Sequence, residues 1–340
     1  MERRTRVLEG QKHEDRASIR QPASARAAGC LWPAFYLHHP IHPSSNSLLS
    51  LSQLRAGQVP RPIARLPKTP GCDLAGVIES PAPGGRFAKG DRVFGILSAA
   101  GGTGAGSCAE FALVPETQLA PLPSSLTFEQ GASIPLALLT AWQALDAGRV
   151  GAGQKVLITA AAGGVGSFAT ALAAVRGATV SGTASGRNAA YIGGRGVTTP
   201  IDYTQAPDAV AAIAAGAEAN KFDVAVDVMG GATEDAAYAA TKDRGGRFVS
   251  IMNSGTSLAK VAGRTLRGAL GLGRKYSFVV LAINDGTGAR LEEAAGLIEA
   301  GKLSPPEIKA FNGLAAVPAA MKELEGGHVR GKVVIKVADE

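Results

Sequence analysis

The spacing of apolar residues changes along the chain, and the change predicts two kinds of structure. Between residues 70 and 123 the apolar runs are short, as at 76–79, 91–96 and 110–114, and Gly and Pro residues separate them. Brief β-type runs broken by turns are typical of a small barrel or sandwich. This region of the chain is therefore predicted to be a small all-β unit.

Beyond residue 123 the pattern becomes an alternation of strands and helices. The strand candidates are 155–159, 179–183, 223–228, 247–251 and 276–281, and helical patterns at 126–147 and 165–176 are among the segments between them. Strands that alternate with helices form a parallel, doubly wound sheet. A further strand is predicted at 331–337. The fold class is thus α/β, with a β-rich unit before the parallel sheet.

The first fifty residues follow neither pattern. They contain a polar stretch rich in Arg, Ala and Ser, then a cluster of His38, His39 and His42. An organelle transit peptide would be poor in acids, yet Glu9 and Glu14 lie in this stretch. A metal site on the histidines is an alternative to incidental histidines in an unpacked tract. We expect residues 1–50 to be an unstructured leader.

The location of the charge narrows the range of functions. The net charge is +7, but residues 1–70 hold 11 basic and 4 acidic side chains, so the other 270 residues hold 24 of each sign. A broad basic face for nucleic acid is therefore not expected on the body of the protein. No apolar run is long enough to span a bilayer. Three cysteines without a CxxC pair favour a reducing compartment, by default the cytoplasm.

The strongest chemical signal follows the strand at 155–159. Ala161, Gly163 and Gly166 stand at the three glycine places of a dinucleotide-binding fingerprint. Gly163 would let the pyrophosphate approach the backbone, and Gly166 would let the helix pack close to the strand. Amides at the helix start would face the phosphates. The alternative is a plain tight turn. The predicted cofactor contacts here are Ala161, Gly163, Gly164, Val165 and Gly166.

The end of the next strand indicates which dinucleotide binds. An NAD site places an acid there for the ribose 2′-hydroxyl, and residues 178–188 contain no Asp or Glu. Ser185, Arg187 and Asn188 occupy this position instead, and a guanidinium suits a 2′-phosphate. Arg187 could also be an ordinary solvated arginine. The pattern favours NADPH over NADH.

Several segments together resemble one enzyme family. They are 66–77, 89–93, 109–111, 138–142 and 327–334, and the resemblance extends over residues 54–337. The chain resembles a zinc-independent medium-chain dehydrogenase/reductase of the quinone oxidoreductase and enone reductase subfamily. Segments 54–57 and 65–67 are most similar to chloroplast-envelope homologues of plants and algae, which makes the chloroplast an alternative compartment.

The resemblance implies a Rossmann doubly wound parallel sheet inserted in a GroES-like β-barrel domain. The expected limits are 51–125 for the first barrel segment, 126–280 for the NADP-binding Rossmann domain and 281–340 for the second barrel segment. The family's first barrel strands are not recognisable in residues 1–50. The resemblance also allows a homodimer.

The function that the resemblance implies is transfer of a hydride from NADPH to a quinone or an α,β-unsaturated carbonyl. Such enzymes work by positioning, and the sequence singles out no catalytic acid or base. Tyr203 joins the predicted cofactor contacts. The resemblance places Thr140, Met229, Ile251 and Asn253 around the nicotinamide.

Two other functions compete with this one. A zinc alcohol dehydrogenase is disfavoured because Cys72 stands where zinc members of the superfamily carry a histidine. Cys108 and His328 do not complete a ligand set with it, so no metal is expected. His328 has no evident triad partners, so a hydrolase is not supported either. The other alternative is an NADPH-binding protein whose catalysis is impaired by the missing barrel start.

Overall fold

In a computed structural model of the chain, the strands divide between two sheets. The structure describes residues 16–20, 27–31, 69–97, 106–217, 221–251, 258–327 and 329–337. In chain order the strands are β1 (Arg16–Arg20), β2 (Ala27–Leu31), β3 (Asp73–Ser80), β4 (Arg92–Ile96), β5 (Phe111–Pro115), β6 (Leu119–Pro121), β7 (Lys155–Ile158), β8 (Thr179–Ala184), β9 (Val197–Asp202), β10 (Val224–Asp227), β11 (Arg247–Ser250), β12 (Lys275–Phe278), β13 (Ile308–Asn312) and β14 (Lys332–Lys336).

The helices lie mainly between the strands of the second sheet. They are α1 (Phe128–Ala132), α2 (Pro135–Gly148), α3 (Gly164–Val175), α4 (Ala189–Gly193), α5 (Ala209–Ala217), α6 (Gly231–Ala240), α7 (Leu258–Ala269), α8 (Thr287–Glu299) and α9 (Val317–Glu325). α1 begins with a reciprocal capping box between Thr127 and Gln130, and α2 has a proline in its first turn. Both are helix-start signals that a sequence can carry.

The eight-stranded sheet is the β-rich unit. Its order is β13-β14-β2-β3-β1-β5, and β4 joins β3 to β6. β14 pairs antiparallel with β2, so strands from the two ends of the described chain are neighbours. A separate apolar cluster, which includes Leu74, Val93 and Leu119, fills this unit. The predicted β-rich unit is thus present, and it takes strands from both ends of the described chain.

The six-stranded sheet is parallel throughout and has the order β12-β11-β10-β7-β8-β9. β7, the first strand in sequence, lies in the middle, and the strands run outward from it in two directions. The order therefore reverses between β7 and β10. In such sheets ligands bind at this reversal, outside the carboxyl ends of the strands. The predicted α/β doubly wound fold is confirmed.

Ten of the first fifty residues, 16–20 and 27–31, lie in the eight-stranded sheet, where the expectation was an unpacked leader. β1 lies between β3 and β5, and β2 lies between β14 and β3. The physical reason is that ladder hydrogen bonds come from the backbone, so a segment with only a short apolar alternation can still fill a gap between strands. The barrel is therefore not without strands from this region of the chain. The histidine cluster lies outside the described residues, and the predicted domain limits stay predictions.

Candidate nucleotide-binding site

A tight turn connects β7 to α3 at the centre of the parallel sheet. We call residues 160–166 the glycine turn. The amide of Ala160 donates to the Thr183 hydroxyl at 2.9 Å, and the amide of Ala161 donates to the Thr183 carbonyl at 2.9 Å. Ala160 adopts a left-handed backbone with φ of +46°. The first glycine place of the fingerprint is Ala161, whereas the residue with the left-handed backbone is Ala160, immediately before it.

The glycines of this turn are required for different reasons. A Cβ on Gly166 would lie far inside van der Waals contact with the Ala160 carbonyl, so only glycine allows the helix to start so close to the turn. A Cβ on Gly163 would meet only the Ala160 carbonyl oxygen, at an ordinary 3.4 Å. The protein itself therefore leaves room at Gly163. This open side is where the fingerprint expects a pyrophosphate to approach.

The start of α3 presents free amides on this side. The Ser167 amide is the first to bond back, to the Gly163 carbonyl at 2.8 Å, so the amides of Gly164, Val165 and Gly166 have no intrahelical acceptor. With the positive end of the helix dipole, they form a site suited to an anion. Among the residues the structure describes, the turn thus fits the pyrophosphate of a dinucleotide.

The β-rich unit contacts this turn directly. The Gly331 amide donates to the Ala162 carbonyl at 2.9 Å, and Gly331 forms a β-bridge with Gly163. Arg195 makes a second link, because its guanidinium donates to the carbonyls of Ser167 in α3 and of Ser304 beyond α8. Burial lowers the pKa of Arg195. The bond from Gly331 therefore joins the two units at the nucleotide-facing edge of the parallel sheet, and Arg195, just before β9, joins them along α3.

The end of β8 holds three of the predicted residues together. Ser185 and Asn188 are partly buried, and the Asn188 amide nitrogen lies 3.1 Å from the Ser185 hydroxyl. Arg187 is exposed, and no ion pair involving it occurs among the described residues. Its guanidinium is thus available at the edge of the site. The prediction that these residues contact the cofactor stays a prediction.

An acid that the local sequence pattern does not predict lies beside them. Asp202, at the end of β9, accepts hydrogen bonds from the amide and hydroxyl of Thr204 and from the amide of Gly186. A Cβ on Gly186 would clash with its carboxylate. The bonds from Thr204 hold the pKa of Asp202 below its usual value. Tyr203 follows it and is 38% exposed. We call residues 185–188 and 202–203 the β8–β9 rim.

The ends of β7 and β10 are tied by a buried carboxylate. Asp227 accepts hydrogen bonds from the Thr159 hydroxyl at 2.8 Å and from the Gly230 amide at 2.6 Å. Burial raises the pKa of Asp227 to about 6, despite these hydrogen bonds. Asp227 holds the loop that carries Met229, a predicted nicotinamide contact. The signal that could have found it is an acid at the end of a buried strand.

The remaining predicted residues differ in their surroundings. Ile251 is buried at the end of β11, at the same sheet edge as Met229. Thr140 is fully buried within α2, and its hydroxyl donates to the Leu136 carbonyl at 2.7 Å. Asn253 lies outside the described residues. Their assignment to the nicotinamide end stays a prediction.

The cysteines of the body lie in the β-rich unit. Cys72 is partly buried and Cys108 is buried, and burial raises the pKa of the Cys108 thiol to about 12. Within the described ranges, no three His, Cys, Asp or Glu side chains come together as metal ligands. None of the helices described combines the length and apolar character that crossing a bilayer requires.

A doubly wound sheet, a glycine turn at its reversal point and a β-rich unit joined to that turn are the architecture of a two-domain dinucleotide-binding protein. Residues 47–124 match the family model "Alcohol dehydrogenase GroES-like domain", and residues 195–335 match "Zinc-binding dehydrogenase". The chain belongs to the medium-chain dehydrogenase/reductase family.

Curated relatives support the same family. NAD(P)H oxidoreductase RTN4IP1, mitochondrial, is 31% identical in Danio rerio, over 69% of this chain and 64% of that protein, and 31% identical in Bos taurus, over 80% and 71%. The "Quinone-oxidoreductase homolog, chloroplastic" of Spinacia oleracea is 29% identical over 80% of each chain. The 2-methylene-furan-3-one reductase of Solanum lycopersicum is 30% identical, over 83% of this chain and 66% of that protein.

A solved structure shows the same fold over nearly the full length. The quinone oxidoreductase of Coxiella burnetii superposes with a TM-score of 0.74 at 27% sequence identity, covering 97% of this chain and 93% of that one. Together with the relatives, it identifies the chain as an oxidoreductase.

Proposed function

We propose that the protein transfers a hydride from NADPH to a quinone or to the β-carbon of an α,β-unsaturated carbonyl. The observation that carries the cofactor choice is Arg187, an exposed guanidinium on the β8–β9 rim, at the end of a strand without an acid. Asp202 reaches the same rim, but hydrogen bonds from Gly186 and Thr204 engage its carboxylate. This arrangement leaves Arg187 as the group suited to a 2′-phosphate.

The acceptor class is supported by the names of two relatives. One is a quinone oxidoreductase homologue and the other reduces a compound with a methylene group beside a ketone, as its name states. Quinones and α-methylene ketones are both conjugated carbonyl compounds, and both accept a hydride. A single pocket chemistry can serve both classes, because each product is an oxyanion that takes a proton from water.

The chain's own residues would act by holding and orienting. The amides of residues 164–166 would bind the pyrophosphate, and Arg187 the 2′-phosphate. Asp227 would fix the loop of Met229 through the Gly230 amide, so that this loop keeps one shape beside the nicotinamide ring. When bound, NADPH would supply the hydride from its C4 position. Positioning then accounts for the acceleration.

A direct assay tests the proposal. The full-length protein is mixed with NADPH or NADH and with a quinone or an enone, and cofactor oxidation is followed by absorbance. We expect NADPH consumption that depends on the acceptor and is unaffected by a chelator. Tight NADPH binding without turnover on either acceptor would instead support the impaired binding protein. Stoichiometric zinc by elemental analysis would support the alcohol dehydrogenase.

A homodimer also belongs to the proposal. β12 is at the edge of the parallel sheet, and among the described residues it pairs on one side only. Leu266, Leu270 and Leu272, which precede β12, are each at least 60% exposed. An open strand edge beside exposed leucines favours contact with a second copy. Sedimentation of the protein should show a dimer that Leu270→Ser weakens, and a monomer at micromolar concentration would contradict it.

The compartment also stays a prediction. The cytoplasm is the default expectation, but the Danio rerio and Spinacia oleracea relatives carry mitochondrial and chloroplastic names. The chloroplast alternative therefore gains support from the Spinacia oleracea relative. Fractionation of cells that express the full chain, followed by immunoblotting, distinguishes plastid from cytoplasm.

A further inference from the structure

A buried ion pair lies where the two units meet, and hydride transfer as proposed does not use it. Lys332 Nζ, on β14, is 3.4 Å from Asp73 Oδ2, on β3, and both side chains are only 1% exposed. The other carboxylate oxygen of Asp73 accepts the Leu136 amide at 2.8 Å, in the first turn of α2. Burying two charges is costly unless each is paired and hydrogen-bonded. The pair thus connects the β-rich unit to the helix that leads into the parallel sheet.

The stem of Lys332 also lies against the first residue of the nucleotide-binding helix. A Cβ on Gly164 would be 2.7 Å from Lys332 Cδ and 3.4 Å from its Cγ. The backbone of Lys332 is fixed as well, because its amide donates to the Glu307 carbonyl at 2.8 Å. The preceding residue, Gly331, has φ of +71° and leaves no room for a Cβ against Glu307. The lysine is therefore held at its backbone, along its stem and at its charged end.

We propose that Lys332 and Asp73 are a pair of positioning residues that hold the start of α3, and hence the phosphate-facing amides, in place against the β-rich unit. The pair acts through Gly164 and through the Leu136 end of α2. The proposal rests on the proposed function only in requiring that the glycine turn binds a dinucleotide. It goes beyond it in assigning a share of the affinity to residues of the other unit.

The pair should affect NADPH and NADH alike. The pyrophosphate is common to both cofactors, whereas the 2′-phosphate is a separate group on the adenosine ribose that only NADPH carries. Displacing the amides of residues 164–166 by a fraction of an ångström weakens every contact they make with the phosphates. A loss shared by both cofactors therefore separates this pair from Arg187.

The pair should also give the affinity a dependence on pH. Burial raises the pKa of Asp73 to about 6, while Lys332 and the Leu136 amide act in the opposite direction. Cys30 of β2 and Ile96 of β4 are its neighbours in the sheet register, and neither is a cation. The ion pair exists only when Asp73 is ionised. It is therefore present above about pH 6 and is lost as the pH falls through that value, so the affinity should fall with it.

The experiment measures the Kd of NADPH and of NADH by fluorescence titration of the full chain between about pH 5 and 8, with urea unfolding of each variant. We expect Lys332→Met and Asp73→Asn each to lower the affinity for both cofactors by about tenfold near neutral pH. The double variant should lose no more affinity than either single variant. Asp73→Asn should reduce the pH step, and Asp227, whose pKa burial also raises to about 6, accounts for the remainder. Lys332→Met should reduce the step equally, because the ion pair then exists at no pH.

A matched control variant and a double-mutant cycle between Gly164 and Lys332 sharpen the test. Lys336 is on the same strand and lies 4.0 Å from Glu129, away from the glycine turn, so Lys336→Met should leave both Kd values unchanged. Gly164→Ala should weaken binding strongly in the unmutated background and much less with Lys332→Ala, which makes space for the new methyl group. Lys332→Arg should retain the pH step.

The outcomes separate the two proposals. A chain that binds neither nucleotide contradicts the proposed function. A chain that binds both, but whose Kd values do not respond to the Lys332 and Asp73 substitutions, overturns the pair alone. Additive losses in the Gly164 and Lys332 cycle would also overturn it. If Lys332→Met does not fold, the Lys332→Arg variant and the pH profile of the unmutated chain decide, because an absent pH step overturns the pair.

Discussion

The glycine turn and the β8–β9 rim are two parts of one candidate site, and they present different chemical groups to a ligand. The turn presents backbone amides, and most of its residues are buried. The rim presents side chains, with Arg187 exposed and Tyr203 38% exposed. Backbone groups recognise what all dinucleotides share, whereas an exposed guanidinium recognises what one of them adds. Affinity and cofactor choice should therefore be separable by mutation.

The largest effect is expected at the turn. Gly166→Ala places a methyl group against the Ala160 carbonyl, and backbone on both sides cannot give way cheaply. We expect the affinity for NADPH and for NADH to fall by the same factor, about a hundredfold or more. Isothermal titration with both cofactors measures it.

A glycine with free space supplies the control for that variant. Gly296, within α8, has nothing near a Cβ, so Gly296→Ala should leave both affinities unchanged and stabilise the fold slightly. Unchanged binding by Gly166→Ala would show that the helix start can move without consequence, which contradicts the role given to the turn.

The next effect is expected at the rim and for one cofactor only. Arg187→Ala should weaken NADPH binding by about tenfold, or about 1.4 kcal/mol, because only NADPH carries the 2′-phosphate. The affinity for NADH should be unchanged. The unmutated chain should prefer NADPH by at least that factor. Equal affinities for the two cofactors in the unmutated chain would remove the basis for assigning Arg187 this role.

A smaller effect of opposite sign is expected from Asp202. Asp202→Asn removes a negative charge beside Gly186 but keeps an oxygen that can accept the Thr204 amide. NADPH should bind about threefold tighter and NADH should be unaffected, and the gain should shrink as salt is added. A change of equal size for NADH would mean that Asp202 shapes the rim rather than opposing the phosphate.

The smallest effect concerns stability rather than binding. Ala160→Gly relieves a left-handed alanine, worth roughly 1 kcal/mol, but the added freedom of the unfolded chain offsets some of it. We expect a net gain of about 0.5 kcal/mol in urea unfolding, with both cofactor affinities retained. Arg149 is exposed and also left-handed, with φ of +51°, so Arg149→Gly is the comparison outside the site. A loss of stability in Ala160→Gly alone would show that the turn needs the alanine side chain.

The sequence predicted those features of the site that depend on local geometry. Gly166 lies in the first turn of α3, a few residues after β7, so a local fingerprint contains the information. Asp202 is the last residue of β9, and only the parallel register of β8 and β9 brings it to the β8–β9 rim. The need for glycine at position 164 depends on Lys332, far along the chain, and no local pattern carries that.

The strand β1 shows the same limit in the fold. β1 has the sequence RASIR, in which Ala17 and Ile19 give an alternation too short to predict a strand, yet it lies between β3 and β5. Its place depends on two strands that need a partner, not on its own propensity. Pattern-based prediction works where a segment determines its own structure, and it fails where neighbours determine it.

The contact between Lys332 and Asp73 joins positions 259 residues apart, and this separation has a consequence for how the molecule assembles. Closing so long a loop costs chain entropy before any contact repays it, and such contacts form slowly. A refolding chain can build α3 from neighbouring residues well before β14 reaches it. We expect helical signal to return first and nucleotide affinity later, with the interval set by the docking of β14.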